Sequence, residues 1–257
     1  MTESDLLVTS DGAVRIVTMN RPDHRNAINE HLHGELTRVW RSLADDRGAR
    51  AVVLTGAGNA FSAGGDASWL RQVASDEEMR WRSLDEARRL ATEVLACPLP
   101  TIAAVNGPAV GLGSSIASMC DIVLMSTSAY FADPHVAIGL AAGDGAVATW
   151  PSLIGPQAAK YYLFTGERID ADKALQLGLA QDVVGGGDLM SSAVALAHRL
   201  AALPPAALRA TKRAVNLQIE RSAATCLEFA CAAEADNFTG PDFAIALDKM
   251  TAPRART

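Results

Sequence analysis

Apolar positions along this chain alternate between two spacings. In "LLVTSDGAVRIVTMN" two apolar-rich stretches flank Ser10-Asp11-Gly12, which predicts two short strands around a tight turn. From Asn29 to Leu43 the period lengthens, with Leu32, Leu36, Val39, Trp40 and Leu43 recurring at the spacing of one helix face. "RAVVLTG" and "PTIAAVNG" are continuous apolar runs ending at Gly56 and Gly107, the pattern of strands buried on both sides, and "DIVLMS" is a third. Between them lie a Gly/Ala-rich loop, "GAGNAFSAGGD", and a helical stretch from Asp76 to Cys97 stopped before Pro98. "GLGSSIASMC" has helix-forming composition directly after a glycine-rich turn. Strands alternating with helices predict an α/β architecture with parallel pairing. From Pro156 onward the segments are mostly helical: "PQAAKYYLFTG", "DADKALQLG", "GDLMSSAVALAHRLAAL", "PPAALRATKRAVNLQI" and "AATCLEFACAAEADNF". "AQDVV" is the late strand candidate, and the architecture is expected to change between Gly185 and Pro205. No internal repeat or low-complexity segment stands out.

Composition narrows the function classes. With 257 residues the chain can bury one sizeable core and carry an appended helical piece. It is 49% hydrophobic and 20% charged, as expected of a soluble globular protein. A net charge of −6 without a Lys/Arg run leaves no electrostatic footprint for nucleic acid. A small anionic ligand could still be held by local basic groups and backbone amides. Cys97, Cys120, Cys226 and Cys231 show neither CxxC spacing nor a histidine partner motif, so no metal site is expected and they read as core thiols of a cytoplasmic protein. "MTESDLLVTSDG" lacks the basic and apolar regions of a secretory signal, and the apolar runs are far shorter than a membrane span.

Candidate chemistry concentrates in "FADPHVAIGLAAGDGAVATW". His135 titrates near working pH and is suited to proton transfer, and Asp144 could orient it. Asp144 also precedes a helical run and is placed to cap it, while His135 could be an ordinary loop histidine. Asp133 is a reserve acid, or a turn former. "GPAVGLGSS" is neither GxGxxG nor a phosphate loop. "GSSIA" mimics a nucleophile elbow at Ser115, and a serine hydrolase would then draw on Asp182 or Asp188 with His198, which sits within an amphipathic helix.

Four segments in order, "MNRPDHRNAIN", "VVLTGAGNAFSAGGD", "PTIAAVNGPAVGLGSSIASMCDIVLMS" and "AIGLAAGDG…TWPSLIGPQAAKYYLFTGERIDADKALQLGLAQDVV", resemble the crotonase (enoyl-CoA hydratase/isomerase) superfamily. The resemblance implies a spiral of ββα turns over residues 1–195 and a helical trimerisation region over 196–257. It implies a homotrimer or homohexamer, an acyl-CoA thioester as substrate, and no cofactor beyond the coenzyme A of that substrate. It further implies an oxyanion hole at the backbone N–H groups of Gly65 and Leu112, with Ala63, Gly64, Asp66 and Gly111 shaping the loops around the thioester. Leu112 opens a predicted helix, where unpartnered N–H groups and the helix dipole favour negative charge. Arg25, Asn26, Ala27 and Ile28 match the stretch that runs past coenzyme A, and Lys249 matches a lysine that some members lend to its phosphates.

The sequence also departs from that family. The two glutamate positions of typical hydratases fall on Ser115 and His135, and no glutamate occurs between Glu93 and Glu167 to replace them. "PH…G…GDG…WP" resembles the 6-oxocamphor hydrolase-like β-diketone hydrolases, in which a His–Asp pair activates water for C–C cleavage. The expectation is therefore acyl-CoA chemistry by His135 and Asp144, with Ser115 offering a hydroxyl and Trp69 and Trp150 lining an acyl pocket. Hydration, isomerisation, C–C hydrolysis and non-catalytic acyl-CoA binding all remain open at this point.

Overall fold

The computed structural model describes residues 4–185 and 187–251. The chain begins with an antiparallel hairpin, β1 (Leu6–Asp11) and β2 (Val14–Met19), turning at Gly12 with φ of 56°. Helix α1 (Glu30–Asp45) is capped by Asn29, whose side chain accepts from Leu32 N at 2.8 Å. Strand β3 (Ala51–Gly56) follows, then α2 (Ala67–Ser75) and α3 (Glu77–Ala96), which starts at the Asp76 cap. Two ββ units come next: β4 (Thr101–Val105), β5 (Pro108–Val110) and α4 (Leu112–Met119), then β6 (Ile122–Ser126) and β7 (Tyr130–Ala132). The remainder comprises α5 (Ala146–Ile154), α6 (Pro156–Thr165), β8 (Ile169–Asp170), α7 (Ala171–Leu177), β9 (Asp182–Val184), α8 (Leu189–Ala201), α9 (Pro205–Asn237) and α10 (Pro241–Thr251).

Successive turns of chain feed two sheets. The larger runs β1-β2-β3-β4-β6-β9, parallel from β2 onward, and the smaller runs β5-β7-β8. The β4/β5 and β6/β7 pairs each leave one strand in each sheet, as in the expected crotonase-like spiral. The apolar runs follow from burial on both sides of the larger sheet. On β3, Val52 and Leu54 face the main core with α1 and α3, while Ala51 and Val53 face a second core closed by Leu189, Ala193 and Ala197 of α8. No described helix is long and apolar enough to cross a membrane.

Two features depart from the sequence expectation. The segments "PPAALRATKRAVNLQI" and "AATCLEFACAAEADNF" form one 33-residue helix, α9, because the polar interval between them holds neither glycine nor proline to stop it. The small sheet and α2 were not expected; strands of two or three residues carry too little period to read. The long helix matters for the site, because it returns the C-terminal part of the chain to the mouth of the spiral.

Candidate active site

The site grows from two loops that the chain stitches together. Ser62 bridges to Ala109, with Val110 N donating to Ser62 O at 2.9 Å. Gly64 and Gly111 hold positive φ of 85° and 52°. A Cβ on Gly64 would stand a tight 3.0 Å from Val110 O and one on Gly111 an ordinary 3.5 Å from Cε1 of His135, so it is the positive φ at both positions, more than space, that calls for glycine beside the histidine. Gly65 follows in an extended bridge to Ile28, and Leu112 is the first residue of α4. Among the described residues, the N–H of neither Gly65 nor Leu112 donates a hydrogen bond. Two unpartnered donors therefore sit on abutting loops, as an oxyanion site requires.

The stretch before them is a fastening. Arg25 and Asn26 both adopt positive φ, and Asn26 is fully buried, its amide donating to Ala57 O and Ala60 O while accepting from Arg21 N. Ala27 O accepts from Arg21, and Ile28 is buried. Ala63 joins Gly64 and Gly65 in lining the cavity. The Asp66 carboxyl is occupied by Ser68, which it accepts from to cap α2, and by Arg21. Burial would raise that carboxyl, and these bonds hold it below the usual carboxylate range. Arg25 and Lys249 are exposed and do not line the cavity, although Met250 beside Lys249 does.

His135 faces these loops with Asp133 behind it. Nδ1 lies 2.6 Å from Asp133 Oδ1, and a carboxylate only accepts, so Nδ1 carries the proton. On the other side, Nε2 lies 3.4 Å from Asp144 Oδ2 and 4.0 Å from Glu234 Oε1. Burial would lower the imidazole pKa, but Asp133, Asp144 and Glu234 together raise it well above its ordinary value. Asp144 is raised, by burial first and by Asp133, with His135 opposing. Glu234 is pushed up to about 8 by burial, with Asp144 and Asp133 adding to it. Asp133, His135 and Asp144 offer atoms within 4.8 Å of one another, a spacing that could hold a cation, but the His135–Asp133 bond engages Nδ1.

Several expectations are corrected by this geometry. The residue that orients the imidazole is Asp133, not Asp144. Asp144 does not cap α5; the N-cap position is Gly145, and the free Ala146 N donates instead to Ser115 Oγ at 3.1 Å. Ser115 in turn donates to Asp144 Oδ1 at 2.6 Å, so its proton is committed to that carboxyl, and the side chain is completely buried and does not line the cavity. The serine-hydrolase arrangement does not assemble, because His198 is exposed on α8 and pairs with Asp11. Trp69 lines the cavity, whereas Trp150 is completely buried in the core.

Glu234 is the functional candidate that the sequence reading missed. It arrives from α9, about a hundred residues beyond the loop that carries His135. Cys231 Sγ donates to Gly143 O at 3.2 Å and Ala141 N donates to Asn237 Oδ1 at 2.9 Å, tying α9 to that loop. Glu234 Oε2 is buried and has no hydrogen-bond partner among the described residues. The available signal was a lone acid in the apolar stripe Leu227, Ala230, Cys231, Glu234, Phe238, at helical spacing. One cavity of about 110 Å³ is lined by Gly65, Leu112, His135, Asp144 and Glu234 together with His33 and Trp69.

Comparison with known proteins agrees with this architecture. Residues 9–242 match the family model described as enoyl-CoA hydratase/isomerase. A short-chain-enoyl-CoA hydratase of Clostridium acetobutylicum is 34% identical over 97% of this chain and 94% of its own. A crotonyl-CoA hydratase of Syntrophomonas wolfei is 29% identical over 93% and 90%. The crystal structure of an enoyl-CoA hydratase/isomerase from Mycobacterium paratuberculosis superposes with a TM-score of 0.93 at 44% identity, covering 96% of this chain and 98% of that one. The spiral, the paired glycine loops and these matches lead to one conclusion: the chain belongs to the enoyl-CoA hydratase/isomerase family.

Proposed function

We propose that the protein acts on an acyl-CoA thioester through an enolate held by Gly65 and Leu112, and that its first reaction is addition of water to an enoyl-CoA. The observation that carries this reading is the pair of unpartnered N–H groups opening on the same cavity as His135, Asp144 and Glu234. Charge that moves onto the thioester oxygen meets both donors without any reorganisation. Asp144 Oδ2, which lies beside His135 Nε2 while Oδ1 is fixed by Ser115, takes the proton of the attacking water. Glu234, held protonated at neutral pH by its burial, returns a proton to Cα. The His135 imidazolium lies between the two carboxyls, giving its Nε2 proton to Glu234 and recovering one from Asp144. Asp133 holds the ring for that exchange.

Hydrolytic cleavage of a β-ketoacyl-CoA is a second reading, favoured by Ser115 and His135 standing where hydratases carry glutamates and by Asp144 Oδ2 lying 3.4 Å from His135 Nε2. In the cell we place the protein in the cytoplasm as a homotrimer or homohexamer. Phe229 on α9, 78% exposed in the single chain, supports burial against a second copy. An enoyl-CoA incubated in D2O tests the reaction. Mass spectrometry should show water added and one deuterium at Cα. Splitting of a β-ketoacyl-CoA with no hydration would favour the second reading. Tight thioester binding with no reaction of any panel member would leave a non-catalytic binding protein.

A further inference from the structure

The cavity is small, and one side chain of its lining also borders a second space. Its volume is about 110 Å³. A dry cavity of about 150 Å³ holds a benzene ring, so this one takes about four or five non-hydrogen atoms. That is an acyl group of about four carbons with its carbonyl oxygen. Val73, Leu84, Leu140 and Phe238 are buried apolar parts of the lining, suited to a hydrocarbon chain. Trp69 belongs to the same lining and is 7% exposed. It also lines a surface cleft of about 490 Å³, with Asn29, Glu30, His31, Ser68 and Gln72. Glu30, His31, Ser68 and Gln72 are exposed, so the cleft is open to solvent. Trp69 is the residue common to the two linings.

The indole is also braced. Trp69 lies on the first turn of α2, whose start is fixed by the Asp66 cap, and its ring packs on His33 at 5.1 Å between centroids. His33 is 1% exposed, and its Nδ1 lies 3.2 Å from Glu86 Oε2 on α3. A side chain packed in this way cannot swing aside for a longer chain without giving up those contacts.

We propose that Trp69 sets the acyl-chain length by closing the cavity toward the cleft, and that the substrate class is a short-chain enoyl thioester of about four carbons. This inference rests on the acyl-CoA reading given above. In the parent, each further methylene has to displace packed side chains. Without the indole the cavity and the cleft become continuous, and a longer chain runs through into open space.

Esters of graded length test it. Straight-chain 2-enoyl-CoA esters of about four to about ten carbons are assayed for kcat/KM, and saturated esters of the same lengths are titrated into the protein by calorimetry. The parent should prefer the shortest ester over the longest by about tenfold or more. The ratio of long-chain to short-chain kcat/KM should rise by about tenfold or more in Trp69→Ala, and by less in Trp69→Leu. If the enoyl esters bind without turning over, the same ratios are read in Kd. Trp69→Leu keeps an apolar side chain at the position and carries the test if Trp69→Ala does not fold. A parent that handles the longest ester as well as the shortest would overturn the inference, as would a ratio unchanged in the folded variants. Either result leaves the acyl-CoA reading intact. Failure of every ester to bind would overturn the acyl-CoA reading and this inference with it.

Discussion

Glu234 and Ser115 show how burial, rather than residue type, assigns work in this site. Glu234 sits against Gly143, where a Cβ would come within 2.2 Å of its Oε2, and among the described residues the cation acting on it is His135. Its folded pKa of about 8 lies above the unfolded value, so the protonated form favours the fold, and that stability is lost as pH rises toward and through about 8. Glu234→Gln cannot ionise. Its melting temperature should gain on the parent's between about pH 5 and about pH 9, and calorimetric scans at both ends check this. If Glu234 is the proton donor, kcat should fall as pH rises through about 8, and Glu234→Gln should lower kcat by about 10²- to 10⁴-fold at neutral pH. Ser115→Ala removes the bond that fixes Asp144 and leaves Ala146 N without its acceptor. A stability loss of about 1–3 kcal/mol by denaturant titration is expected from those unpaired buried groups.

At the scale of elements, the site depends on where strands and helices stop. The start of α4 presents Leu112 N–H because Gly111, with φ of 52° and ψ of −123°, turns the chain from β5 into the helix. Gly111→Ala should cost about 1–3 kcal/mol in backbone strain. It should also depress turnover more than thioester affinity, since the shifted N–H stabilises the developing oxyanion; a steady-state kcat and KM comparison checks this. The main elements were legible because their apolar periods are long: α1, α3 and β3 were each readable from residues such as Leu36, Val94 and Val53. The orientation of His135 was not. Asp133 and Asp144 are both near it in sequence, and only the turn at Val136–Ile138 decides which one reaches Nδ1. Asp144 looked like a helix cap because Asp at that position usually is one; here Ser115 from another helix meets the free N–H instead.

For the whole molecule, α9 is the part that local patterns could least reveal. It crosses α3 and α5 and delivers Glu234 to a loop a hundred residues earlier, a contact that is nonlocal by construction. The two glycine loops could be read because each is a local motif, and the spiral brings them together. The cavity they form with His135, Asp144 and Glu234 is the basis for assigning acyl-CoA chemistry to this chain. The measurement that bears most directly on that assignment is a mass-spectrometric screen of enoyl- and β-ketoacyl-CoA esters with the parent and with His135→Ala, beside calorimetric binding of a saturated acyl-CoA to both. We expect the parent to turn over at least one ester, and His135→Ala to lose about 10²-fold or more in kcat while keeping its affinity within about threefold. An unchanged rate in His135→Ala would contradict the proposed role of the cluster.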